Sequence, residues 1–439
     1  MQLTLDHVTQ LAPDEKAVAS ARQLLSLHFW SDLGMNESAL WGDCRGAGIY
    51  RVRIDLSNLG QSCNCPSRKR PCRHSLGLLM LLVTKPDAIE VAEPPPDVAE
   101  WLEKRKQRDA KSASRKIEKK PVDDVARGKR VERREGRVTE GIESLQRWIC
   151  DLVRTGVAGI EVHGPEFWET QARRMVDAQA PGLAQRLRRL GEMPGESVDW
   201  PERLLKELGR LELLLIAAQR LSELSPDLQA DVRQFLGWTL SQSDLEDHGD
   251  RVNDQWIVVG QREEDDDRLR SKWIWLQSLT TGTFALILQF APGTQPFALN
   301  WPVGTRFTAT MLFYPGTRRE RARLVEQSAI SGANASRLPS QLIGLETVEA
   351  LLQSHAEALA RSPWIPTTLA VLKNVTITPQ SGQWWVRDRQ GQGIPCRTAQ
   401  PWKLLASSGG QAVHLFGEWD GEAFRPLTLM TDGQLMDLT

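Results

Sequence analysis

The feature that most constrains this chain is a cluster of cysteines. Three of its six cysteines, Cys63, Cys65 and Cys72, fall within ten positions, and His74 follows the last of them by two. Cys63-Asn64-Cys65, six intervening residues, then Cys72-Arg73-His74 supplies three thiolates and one imidazole, a complete tetrahedral donor set for Zn2+. A structural zinc site fills every position with protein, whereas a catalytic one keeps a position for water. The spacing therefore predicts one structural zinc on Cys63, Cys65, Cys72 and His74, with Pro66 and Pro71 stiffening the loop between the pairs. Six cysteines in 439 residues are too few for a disulfide scaffold. Cys44, Cys150 and Cys396 stand alone and read as small buried hydrophobes.

The neighbouring segments have their own periodicities. Tyr50, Val52, Ile54 and Leu56 alternate with polar residues, so one half-buried strand enters the cluster, and Asn58-Leu59-Gly60 turns the chain toward it. Leu76, Leu78, Leu79, Leu81 and Leu82 predict a helix leaving it. A short helix is expected from Pro13 to Leu25, followed by a loop that holds Trp30 and Trp41. From Trp101 to Glu140 there are 15 Lys and Arg against 8 Asp and Glu, with few large apolar residues, and this reads as a solvated linker, with a basic arm that touches nucleic acid as the alternative.

Further on, the apolar positions Ile142, Leu145, Trp148, Ile149 and Leu152, and then Leu204, Leu208, Leu211, Leu215 and Ala218, mark core stripes of helices. Pro181 breaks or restarts a helix, and Ser225-Pro226 has the order of a helix cap. Beyond Asn253 the period shifts toward two, as in Phe307, Ala309, Met311 and Phe313, and Asp420-Gly421 suits a hairpin. A helix with Val348, Leu351, Leu352, His355 and Leu359 on one side is embedded there, and His355 reads as a core histidine. Glu263 to Asp267 reads as a solvated acidic loop.

The expected fold is α+β: an N-terminal domain over 1–84 with a small strand–loop–helix zinc module at about 50–83, a charged linker over 85–140, a helical region over 141–245 and a β-rich region over 253–439. The longest apolar run has eight residues, far short of the ~20 needed to span a bilayer. The N-terminus lacks the basic and apolar regions of a secretory signal, and the expected location is the cytoplasm.

The motif Cys63-x-Cys65-x6-Cys72-x-His74 resembles that of the bacterial SWIM zinc finger proteins. The resemblance extends to Trp41-Gly42-Asp43-Cys44, to Cys65-Pro66-Ser67-Arg68-Lys69 and to His74-Ser75-Leu76-Gly77-Leu78-Leu79. Phe167-Trp168, Asp177 to Gly182 and Phe313-Tyr314-Pro315-Gly316 follow in the order the family shows. The resemblance implies a ββα module that binds DNA or protein, often encoded beside MoxR-type AAA+ ATPases and von Willebrand A domain proteins, with no established enzymatic activity.

Two functions compete on the residues themselves. Arg68, Lys69, Arg70 and Arg73 lie between and beside the ligands, with no acidic residue from Leu56 to Pro86, so the loop suits phosphates or an acidic partner. The same stretch has no aromatic residue on which bases can stack. The net charge of −1 excludes a general nucleic-acid coat. Sixteen Trp, nine of them after Asn253, favour an interaction protein, since Trp is a common interface anchor. A protein partner is accordingly preferred, with DNA as the alternative. No P-loop, dinucleotide fingerprint, His-Glu-x-x-His motif or nucleophile elbow is present, so no catalysis is expected.

Overall fold

The computed structural model describes residues 5–67, 69–114, 124–238, 240–266, 269–293, 295, 297–328, 342–431 and 434–439. The chain is α+β, with a sheet and helices first, helices in the middle and two sheets at the end.

The N-terminal part opens with helices α1 (Leu5–Gln10) and α2 (Glu15–Arg22), the second capped by Asp14, whose carboxylate accepts the Ala17 N–H at 2.8 Å. Strands β1 (Trp30–Met35), β2 (Ala39–Arg45), β3 (Ile49–Asp55) and β4 (Gly60–Cys63) follow, then α3 (Arg73–Thr84) and β5 (Glu90–Val91). They form a sheet of order β4-β3-β2-β1-β5, antiparallel except where β1 meets β5. Trp30 and Trp41 lie in strands rather than in the expected loop. Strand β2 is covered on both faces, so it lacks the alternation that betrays a half-buried strand. Leu40 and Cys44 belong to the core shared with α3, while Ala39 and Trp41 pack with Val98 and Leu102 on the other side.

Val98 and Leu102 come from α4 (Pro96–Ser114), inside the stretch that reads as a solvated linker. That reading is corrected: the stretch is helical again over α5 (Asp124–Thr155), and both helices carry buried residues. An i, i+4 pair of apolar residues within a charge-rich run is enough to fasten a helix to a sheet. Arg53 bonds Asp97 at 2.5 Å, and Arg105 lies 3.5 Å from Asp55, so the charges of α4 are also used against the sheet.

The central helices α5, α6 (Glu166–Asp177), α7 (Pro181–Glu192), α8 (Trp200–Gln219) and α9 (Pro226–Phe235) share one core built from Leu145, Trp168, Leu183, Leu187, Leu204, Leu211 and Leu215. Pro181 opens α7 at its first turn, and the Ser225 hydroxyl caps α9 by accepting the Leu228 N–H. Cys150 is exposed, one residue past the buried Ile149, which corrects its reading as a buried hydrophobe. Cys44 and Cys396 are buried.

After α10 (Gln242–His248), strands β6 (Asp250–Asp266), β7 (Leu269–Ser278), β8 (Phe284–Pro292), β9 (Arg306–Phe313) and β10 (Ala322–Gln327) run in the order β10-β9-β6-β7-β8. A parallel bridge from Leu286 to Arg321 joins β8 to β10 and closes the sheet into a barrel. The first half of β6 pairs with β9 and the second with β7, with a bulge at Val258–Gly260 where the strand bends. This is the Greek-key strand order of an OB-type barrel. The acidic run is strand rather than loop up to Asp266: Glu263 is held by Arg270 and Lys272 across the β6–β7 pair, at 3.1 and 3.0 Å. Asp267 lies outside the described residues.

Helix α11 (Val348–Arg361) then leads to the last sheet, formed by β11 (Thr368–Gln380), β12 (Gln383–Arg387), β13 (Gly393–Cys396), β14 (Val413–Trp419), β15 (Phe424–Thr431) and β16 (Gln434–Asp437), with α12 (Pro401–Ser408) between β13 and β14. Asp420-Gly421 makes the turn between β14 and β15, the Asp420 carboxylate accepting the N–H groups of Glu422 and Ala423. His355 is buried and bonded to the Thr368 hydroxyl at 2.9 Å, and burial lowers its pKa, so it is a neutral core residue; Leu352 points outward. No helix among the described residues is long and apolar enough to cross a membrane.

One glycine sets how the first helices meet. A Cβ on Gly77 of α3 would lie 3.1 Å from Leu24 Cβ and 3.5 Å from the Ala21 carbonyl oxygen, so α2 rests almost on the α3 backbone. Gly77→Leu should destabilise the N-terminal part by about 1–3 kcal/mol through overpacking, seen as a lower urea midpoint for that part alone.

Candidate metal centre and its groove

Each of the four ligands is placed by a different local device. Cys63 ends β4, paired with Val52 of β3, and Cys65 follows one turn residue later. Asn64 between them pins this turn to β3, accepting the Arg51 N–H through Oδ1 at 2.8 Å. Cys72 is the N-cap of α3 and His74 lies in its first turn. The strand thus delivers one pair and the helix start the other, with their donor atoms all within 4.8 Å of one another and all four residues buried. A tetrahedral zinc with Zn–S of ~2.3 Å and Zn–N of ~2.0 Å has donor separations of ~3.5 Å between S and N and ~3.8 Å between two S, and Cys63 Sγ to His74 Nδ1 is 3.8 Å.

The electrostatics suit a cation. Cys72 is pulled far below the usual thiol range, first by a hydrogen bond from Cys63 and then by His74 and Ser75, and Cys63 is pushed up in return. Two thiols this close share a proton, and a divalent cation replaces it. The ring of His74 stacks on Tyr50 at 4.5 Å and 22°, which fixes its orientation. Cys44 is not part of the set: burial pushes its thiol up to about 11, and it packs as a hydrophobe in the core behind the cluster. The chain therefore positions Cys63, Cys65, Cys72 and His74 for one structural zinc ion, whose chemistry here is to cross-link strand and helix.

Beside the cluster lies a groove of about 410 Å3, with Tyr50, Cys65, Pro66, Ser67, Lys69, Pro71, Arg73 and His74 on one side and Asp14, Lys16, Ala17 and Ser20 of the α2 segment on the other. Of the four basic residues singled out in the sequence, Lys69 and Arg73 line this groove and Arg70 turns to the Cys63 carbonyl oxygen at 3.4 Å. Arg68 lies outside the described residues. Lys69 is ion-paired with Asp14, and that bond together with the Ala17 N–H holds the Asp14 carboxyl below its usual range. Arg73 Nε lies 3.3 Å from His74 Nε2. The sequence pattern did not point to Asp14, Lys16 and Tyr50 as site residues. Their only local signal is a helix cap and a strand end, and the groove exists only because α2 packs on α3 at Gly77.

Residues 50–82 match the SWIM zinc finger, and residues 133–236 match the SWIM-associated four-helix bundle domain. The chain thus carries a SWIM zinc finger whose ligands are Cys63, Cys65, Cys72 and His74, together with the bundle domain that accompanies such fingers. No curated protein and no solved structure matches it.

Cys63→Ser and His74→Ala should each abolish stoichiometric zinc in the purified protein and open the loop around Lys69 to trypsin, while residues 253–439 stay resistant. Zinc retained by both variants would overturn the ligand set. Because the thiols must be ionised to bind, zinc occupancy should be complete at neutral pH and fall as the pH is lowered, which metal analysis after dialysis will show.

Proposed function

We propose that this chain is a non-catalytic zinc protein of the cytoplasm whose SWIM finger docks a protein partner. The observation that carries the reading is the shape of the cationic site. Lys16, Lys69 and Arg73 converge on a recess of about 410 Å3 instead of lying along a convex surface. A recess of this size accepts a few residues of an extended chain, whereas a duplex backbone needs cations spread along its own track. Tyr50, the aromatic ring of the groove, is stacked on His74 and so has one face already taken, which leaves little platform for bases. The closed donor set gives the metal no open position for a substrate, so its part is structural. The partners that the resemblance implies, a MoxR-type AAA+ ATPase or a von Willebrand A domain protein, are the first to test.

Fluorescence anisotropy of labelled duplex DNA against the zinc-loaded protein, over a salt series, separates protein docking from DNA binding. Duplex binding is expected to be weak and unchanged in an Arg68/Lys69/Arg70/Arg73→Ser variant, while purified partners of the two classes are titrated in parallel. Tight duplex binding that weakens steeply with salt and loses slope in the variant would make the finger a DNA-binding module and overturn the docking reading.

A further inference from the structure

The groove has a chemical preference and a built-in competitor. Its charged lining is three cations, Lys16, Lys69 and Arg73, against one carboxylate, Asp14. The cations come from different chain segments. Lys16 stands on the first turn of α2, Lys69 on the loop between the metal ligands, and Arg73 on the first turn of α3. The first turns of both helices, α2 and α3, therefore contribute cations to the same recess. Lys16 and Arg73 are exposed, and Lys69 keeps 59% of its side-chain surface open although it is paired with Asp14. Pro66, Pro71 and the stacked pair of Tyr50 and His74 give the walls an apolar, rigid character between the charges.

We propose that this groove binds an acidic, extended peptide segment of a protein partner, and that Asp14 occupies part of its place in the free protein by pairing with Lys69. The inference rests on the docking reading above and names the chemistry of the partner. A carboxylate of the incoming segment takes over Lys69 from Asp14, while Lys16 and Arg73 flank it. Asp14 does two separable jobs, since one carboxylate oxygen caps α2 through the Ala17 N–H and the other meets Lys69. Asparagine keeps the cap and removes the charge, so Asp14→Asn isolates the competitor role. The ion pair it breaks is partly exposed, and pairs of that kind are worth little, so the gain in affinity is modest.

The test is anisotropy of fluorescein-labelled deca-glutamate with the full-length zinc-loaded protein at low salt, beside labelled ten-residue oligothymidylate. Deca-glutamate should bind; Asp14→Asn should tighten it about 2- to 5-fold, and Lys16→Glu should weaken it about 5-fold or more. Lys403→Glu, on the exposed turn of α12, should leave it unchanged, and metal analysis should find one zinc in every variant. The expected rise in Asp14→Asn cannot come from a damaged fold, which would only lower affinity. Three results overturn the inference. Deca-glutamate that fails to bind, or that binds without responding to either Asp14→Asn or Lys16→Glu, removes the acidic occupant and leaves protein docking standing. Oligothymidylate that binds more tightly than deca-glutamate, with the same dependence on Lys16, removes the docking reading as well.

Discussion

The N-terminal part depends on how helix α3 is fastened. Its start is tied by Cys72 and His74 to the pair at the end of β4, and its body is buried without a break from His74 to Leu82. Leu76, Leu78, Leu79, Met80, Leu81 and Leu82 lie between the sheet and helices α1 and α2, each burial contributing about 1.5–3 kcal/mol. A helix apolar on every side is attracted to its surroundings on every side. Two features fix its rotation: Gly77 marks the face that meets α2, and the ligands require the turn that brings Cys72 and His74 onto Cys63 and Cys65.

From that rotation the rest of the module follows. α2 rests on α3 where Gly77 leaves room, and the loop between the ligands projects toward the start of α2. Asp14 and Lys69 are 55 positions apart in the chain, yet they meet because both elements are referenced to the same helix. The groove follows from this packing, since one wall belongs to the ligand loop and the start of α3 and the other to the α2 segment.

Legibility in the sequence followed this physics. The ligands could be read directly, since donor type and spacing are enough to define a tetrahedron, and so could β3, where Tyr50, Val52 and Ile54 alternate on a single buried face. Ser225 before α9 and Asp420-Gly421 between β14 and β15 were legible for a similar reason: each satisfies backbone groups within four residues of itself. What could not be read depends on distant partners. Trp41 looks like a loop residue until α4 covers the far face of β2, and so does Glu263 until Arg270 and Lys272 meet it across a hairpin. The α4 stretch is the instructive error. Its charge balance is that of a linker, but Val98 and Leu102, four apart, and the Arg53–Asp97 bond are what the fold uses.

The C-terminal half shows the same dependence on distant partners at larger scale. The outer face of an OB-type barrel around its second and third strands is where such barrels commonly hold ligands. Here those strands are β7 and β8, and Trp275 and Leu286 on them pack instead against Phe416, Leu427 and Met430 of the last sheet. Much of that face is spent on joining barrel to sheet. The bundle holds both later parts as well: Asp231 of α9, buried, accepts from the backbone N–H and the hydroxyl of Thr317 between β9 and β10, and Trp364 between α11 and β11 enters the bundle core where Arg186 donates to its carbonyl oxygen at 2.6 Å. A buried carboxylate held by two donors orients without a counter-charge, so these contacts fix direction more than they add stability. Bundle, barrel and last sheet are therefore packed on one another in fixed directions, and the recess beside the zinc ligands lies apart from them in the N-terminal part.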